Sequence, residues 1–188
     1  MMLYDISQEV FSCKIYPGDP KPEKETLNAM DRGDRYNLSA FSMCTHNGTH
    51  IDAPAHFLQA GKTVEQLPLE TFVGDCLVVH HRGDLTAADA QKLLQTGAER
   101  ILIAGDATVT EEAARVFAGV RLLGNESQTV GPEDAPMAVH KILLGAGTVL
   151  LEGVVLKDVP PGWYLLNAAP LNLATAEGAP CRAWLMEK

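Results

Sequence analysis

The chain has 188 residues, 46% of them hydrophobic and 21% charged, with a formal net charge of -9. That size and balance suit one soluble domain able to bury a core without disulfide staples. The acidity argues against a nucleic-acid binder, which needs a basic face. Four cysteines, Cys13, Cys44, Cys76 and Cys181, are scattered without a C-x-x-C pair and read as free thiols in a reducing compartment. No basic segment leads into an apolar run at the N-terminus, and no apolar stretch reaches the roughly 20 residues of a membrane span. The expectation is a cytoplasmic protein, away from membranes, with residues 1–188 forming a single domain.

In chain order, Met2–Ile6 and Phe11–Ile15 read as short strands, the second ending in the turn Tyr16-Pro17-Gly18-Asp19-Pro20. Lys21–Arg35 is charged and poor in large apolar residues, so it reads as an exposed connection or flap. Tyr36–Met43 alternates weakly, as a strand would, and leads into His46-Asn47-Gly48-Thr49-His50-Ile51-Asp52-Ala53-Pro54-Ala55-His56-Phe57. Three of the six histidines fall within these eleven positions from His46 to His56, with an aspartate among them. Imidazole nitrogens with carboxylate oxygens suit a divalent metal, zinc or, where oxygens dominate, manganese.

Spacing sharpens that reading. His46, His50, Asp52 and His56 share one parity, so an extended chain turns all four to one face. A straight strand would still separate His46 from Asp52 by about 20 Å, too far for one ion. A helix would point Asp52 away and be weakened by Gly48 and Pro54. The segment must therefore fold back, and we read it as a strand running into a metal-gathering loop. Cys44, two residues before His46, reads as a small buried thiol in preference to a ligand.

Beyond Phe57 the chain is loop-like to Pro68. Cys76-Leu77-Val78-Val79 then marks a buried strand within Gly74–His80, with His80 and His81 solvated at its end. Thr86 with Asp89 signals a capped helix that Gly97 stops. Ile101–Ala104 is a strand, Thr110–Ala118 a helix, and Val120–Leu123 a strand. A third helix over Pro132–Leu144 carries His140, and Thr148–Leu151 is a strand that delivers Glu152. Gly162–Leu166 and Arg182–Met186 complete the set. Strands alternating with helices in the middle and crowding at both ends predict an α/β fold with a mixed sheet. On local grounds alone His140 is an ordinary helix histidine. Glu152 is more suggestive, because a carboxylate closing an apolar strand is costly to bury unpaired.

The stretch His46 to His56 resembles the H-x-G-T-H-x-D-x-P-x-H signature of the cyclase family of metal-dependent hydrolases, which includes bacterial kynurenine formamidase and the isatin hydrolases. Further likenesses are Tyr16–Pro20, His140–Leu144, Leu151-Glu152-Gly153, Val159–Tyr164, Pro170-Leu171 and Ala179–Ala183. Together they span nearly the whole chain. The resemblance implies a compact swivelling β/β/α domain, dimeric or tetrameric, with two divalent metals per chain. His46, His50 and Asp52 would hold the first, Asp52 would bridge to the second, His140 would bind the second, and Glu152 would contact one or both. His56 would be the catalytic acid/base. The implied activity is hydrolysis of a small-molecule amide, as in an arylformamidase. Cyclic-amide or lactone hydrolysis, cyclisation, and metal binding without turnover stay open as alternatives. Asn125-Glu126 departs from the aspartate-containing turn of the family. Aromatic content is only 6%, which leaves Tyr16, Phe57 and Trp163 as candidates to clasp an aryl substrate.

Overall fold

A computed structural model describes residues 1–188. Four parallel strands form its centre: β5 (Val73–His80), β7 (Arg100–Ala104), β9 (Leu122–Asn125) and β10 (Val149–Glu152). Helices α1 (Ala87–Leu94), α2 (Glu111–Phe117) and α3 (Met137–Gly145) link them in sequence, the connection that parallel neighbours require. Antiparallel strands extend the sheet on both sides. On the β5 side come β11 (Gly162–Asn167), β13 (Trp184–Glu187) and β1 (Leu3–Asp5); on the β10 side come β4 (His50–Asp52) and β12 (Gly178–Pro180). The result is the expected mixed α/β sheet, nine strands wide.

Both faces of the centre are buried, and the pleat divides the apolar residues between them. Cys76, Val78, Leu102, Leu122 and Leu151 face one cluster with Ile6, Phe72, Leu166 and Leu185. Their sequence neighbours Leu77, Ile101, Ile103, Leu123 and Leu150 face the helices, against Ala90, Ala113, Phe117, Val139 and Leu143. Helix α1 starts where expected, with Thr86 and Asp89 forming a reciprocal capping box. No helix is long and apolar enough to cross a membrane.

Three expectations are corrected. Phe11–Ile15 is not a strand: the Glu9 carboxylate accepts from the Phe11 and Ser12 amides at 3.1 and 2.9 Å and winds Val10–Ser12 into a single 3-10 turn. The Lys21–Arg35 stretch is exposed as expected but contains β2 (Glu23–Asn28), which pairs with β3 (Leu38–Ser42) in a ribbon outside the main sheet. Helix α3 begins at Met137, not Pro132, because Pro136 disfavours helical backbone at the residue before it. The short strands β6 (Gly83–Leu85) and β8 (Ala107–Val109), which pair only with each other, had no sequence signal.

Phe117 is fully buried between α2 and the sheet. Phe117→Ala is expected to cost about 3–5 kcal/mol through the cavity it leaves, read as a lower urea midpoint with an unchanged m-value.

Candidate metal centre

The centre is placed by strand pairing. Strand β4 runs antiparallel to β10 with Asp52 opposite Leu150 and His50 opposite Glu152. Leu150 points to the helices, so His50, Asp52 and Glu152 point there too, onto one buried patch under α3. Helix α3 presents His140 among its buried residues Val139, Leu143 and Leu144. The remaining members come from bends flanking β4. His46 sits in the turn before it, where Gly48 adopts φ +64°, and His56 ends the 3-10 turn Pro54–His56 after it. Strand β3 runs into the gathering turn as expected, and β4 adds a further short strand within the motif, with a second bend after it.

The five donors meet at Asp52. His46 Nδ1 lies 2.8 Å and His50 Nε2 3.3 Å from Asp52 Oδ1, and His140 Nε2 lies 3.5 Å from Oδ2. Glu152 Oε1 is 3.1 Å from His140 Nε2, and Oε2 is 3.5 Å from His50 Nε2. Two donor groups result, His46–His50–Asp52 and Asp52–His140–Glu152, with Asp52 common to both. His50, Asp52, His140 and Glu152 are all buried.

The backbone sets the imidazole orientations. His50 Nδ1 lies 3.0 Å from the Gly48 carbonyl and His140 Nδ1 2.8 Å from the Pro136 carbonyl. A carbonyl can only accept, so each Nδ1 carries the proton and each Nε2 faces the carboxylates. The Val130 amide donates to Glu152 Oε1 at 2.8 Å, while Asp52 Oδ2, though buried, has no hydrogen-bond donor. Burial alone would raise the Asp52 carboxyl. His140, His46 and His50 more than reverse that and hold it well below the usual carboxylate range. Burial opposes charge on His50 and His140 as well, but the two carboxylates raise each to about 10. A place where carboxylates hold buried imidazoles cationic, with an orphaned carboxylate oxygen facing inward, also fits a divalent cation. Zinc or a similar ion matches these nitrogen and oxygen donors.

His56 stands apart from both groups. Its ring stacks on His46 at 4.0 Å, with Phe57 edge-on at 4.4 Å and His140 at 6.1 Å. Burial is the main cause of its lowered pKa, which keeps it neutral near pH 7. Phe57 also packs on His140 at 4.7 Å, so this aromatic lies at the centre. The Tyr16 hydroxyl donates to the Glu133 carbonyl on the segment leading into α3. Trp163 does not join them: β11 is four places from β10 across the sheet. Cys44 lies outside both donor groups, its thiol 3.7 Å from Asp19. Glu126 braces the fold, accepting from the Gly105 and Leu156 amides, both at 2.7 Å.

Several supporting groups carry no sequence signal, because their roles come from distant contacts. The Thr49 hydroxyl donates to the Gly153 carbonyl at 2.7 Å and accepts from the Gln8 amide at 2.9 Å, and Gln8 Nε2 donates to the same carbonyl at 2.7 Å. Gly153 follows Glu152 at φ +67°, where a Cβ would lie 2.2 Å from the Gly48 carbonyl oxygen. Gly153→Ala therefore combines backbone strain with a clash that neither chain segment can relieve, and should cost more than about 1 kcal/mol. A thermal midpoint within 1 °C or so of the parent protein would contradict this.

The Cyclase family model matches residues 4–130. A kynurenine formamidase of Salinibacter ruber is 35% identical over 208 residues, covering 100% of this chain and 98% of its own. A solved structure described as a potential metal-dependent hydrolase with cyclase activity is 29% identical, covers 98% of this chain and 96% of its own, and superposes with a TM-score of 0.82. Isatin hydrolase A from Labrenzia aggregata, 22% identical, shares the fold with a TM-score of 0.84 over 100% of this chain and 94% of its own.

Proposed function

The chain belongs to the Cyclase family and is a hydrolase, and from that premise we propose that it cleaves a small-molecule amide in the manner of a kynurenine formamidase. One observation carries the reading: donors from four separate segments converge on Asp52, with the half-buried imidazole of His56 beside them. Identity to kynurenine formamidases at 32–35% over 98–100% of the chain supports the substrate class.

In this reading His46, His50 and Asp52 would hold one divalent ion and Asp52, His140 and Glu152 a second, Asp52 being common to both groups. Zinc or manganese fits the donors. When bound, the ions would supply Lewis acidity, polarising the substrate carbonyl and easing deprotonation of water towards neutral pH. The chain's own part is positioning and proton transfer. His56, kept neutral by burial, accepts the proton lost by the attacking water and returns it to the leaving nitrogen, which departs as the amine. The carbonyl fragment leaves as an acid, formate if the substrate is a formamide. Phe57 supplies an apolar wall beside His56 and His140, where an aryl ring can pack.

A reducing cytoplasm agrees with four free cysteines. A homodimer or homotetramer agrees with the β2–β3 ribbon, which leaves Leu27, Leu38 and Phe41 exposed. Exposed apolar side chains on a ribbon outside the main sheet are the kind of surface that a second copy covers.

The test is formate release from N-formylkynurenine by protein stripped of metal and then reloaded with zinc or manganese. Release should depend on the metal. His56→Ala should lower kcat by about 100- to 10,000-fold while metal content stays at two ions per chain. Asp52→Ala should lose both metal and turnover. Bound metal without formate release would redirect the site to cyclic amides or lactones, and a parent protein that takes up no metal would refute the proposal.

A further inference from the structure

His46 is oriented oppositely to the other two imidazoles of the centre. His50 and His140 each direct Nδ1 at a backbone carbonyl and Nε2 at the carboxylates. His46 instead points Nδ1 at Asp52 Oδ1, 2.8 Å away, and turns Nε2 outward. That nitrogen is buried without a hydrogen-bond partner, and Glu177 Oε1 lies 3.4 Å from it.

Glu177 is itself held in place. The Thr45 hydroxyl, one residue before His46, donates to Glu177 Oε1 at 2.7 Å. The Ala53 amide donates to the Glu177 carbonyl at 2.9 Å, fixing the backbone where it enters β12. Gly178, opposite Asp52 in the β12–β4 register, leaves room for the ring: a Cβ there would lie 2.4 Å from His46 Cε1. On its other side the His46 ring stacks on His56. The segment Glu177-Gly178 is therefore shaped around the outer edge of His46, although it belongs to neither donor group.

We infer that Glu177 is a positioning residue for the centre: its carboxylate accepts the Nε2–H of His46 and thereby commits Nδ1 to the inner side. A histidine that gives one nitrogen to a metal commonly donates the other N–H to a carboxylate or carbonyl, which fixes the tautomer and strengthens the donor. His50 and His140 use carbonyls for this, whereas His46 uses a carboxylate. This rests on the two-metal reading above. The consequence is a centre of mixed coordination, with Nδ1 from His46 and Nε2 from His50 and His140.

The experiment uses the full chain with zinc as the probe. Long-range proton–nitrogen correlation spectra of protein carrying 15N-labelled histidine report which ring nitrogen is protonated and which is bound. His46, assigned by its loss in His46→Gln, should show a protonated Nε2 and a bound Nδ1, the reverse of His50 and His140. Zinc affinity, read by competition with a chromophoric chelator, should fall about 10- to 100-fold in Glu177→Ala and less in Glu177→Gln, which keeps an acceptor oxygen. Melting in excess chelator should match the parent in both variants, separating metal positioning from folding. Binding of His46 through Nε2, or parental zinc affinity in Glu177→Ala, would overturn the inference while leaving the two-metal reading intact. Failure of the parent chain to bind zinc in the same competition would overturn both.

Discussion

Two carboxylates, Asp52 and Glu152, are buried almost completely within reach of the same imidazoles. Placing two anions together out of water is among the least favourable arrangements a protein can adopt unless positive charge compensates them. Much of the surrounding architecture answers that constraint. His50 and His140 supply compensation, the Val130 amide satisfies one oxygen of Glu152, and the carbonyls of Gly48 and Pro136 align the rings. The same concentration of negative charge and oriented nitrogen makes the patch suited to divalent cations.

Precision comes from regular structure. His50, Asp52 and Glu152 project from strands β4 and β10, each paired on both sides, and His140 from a helix packed against the sheet, so the donors sit on regular elements and not on free loops. The flexible-looking parts of the motif are tied down as well. Thr49 and Gln8 both bond the Gly153 carbonyl, which fastens the turn before β4 to the end of β10. The glycine and threonine between the two histidines are thus structural fasteners that hold the donors in register.

His46 and His56 occupy the outer side of the centre and couple it to its surroundings. Their stacked rings place the proton-transfer candidate directly against a metal-ligand candidate, and Phe57 closes the same side with an apolar surface. Glu177 approaches from β12, a strand near the C-terminus that pairs with β4. The catalytic neighbourhood therefore draws on segments from both ends of the chain.

How much of this was legible depended on the range of the deciding interaction. The common parity of His46, His50, Asp52 and His56 is local, and it anticipated correctly that His50 and Asp52 share a strand face and that the segment bends. Glu152 stood out because an apolar strand ending in a carboxylate signals a compensating partner. His140 did not, since a helix histidine reads the same whether it faces a core or a metal. Strand β2 was hidden because Glu23, Lys24 and Glu25 carry no apolar alternation, so only pairing with β3, which Tyr36–Met43 anticipated, makes that segment a strand. Phe11–Ile15 misled in the opposite way, because a side-chain cap from Glu9 overrode its apolar pattern. By itself, then, the sequence determined the donor types, their parity and the alternation of strands and helices, all set by covalent spacing and local backbone preference. The family resemblance added the expectation that Asp52 is shared, and only the tertiary structure decided that His46 faces inward by its other nitrogen and that Glu177 stands behind it, because those relations arise where distant strands meet and the pleat selects which side chains share a face.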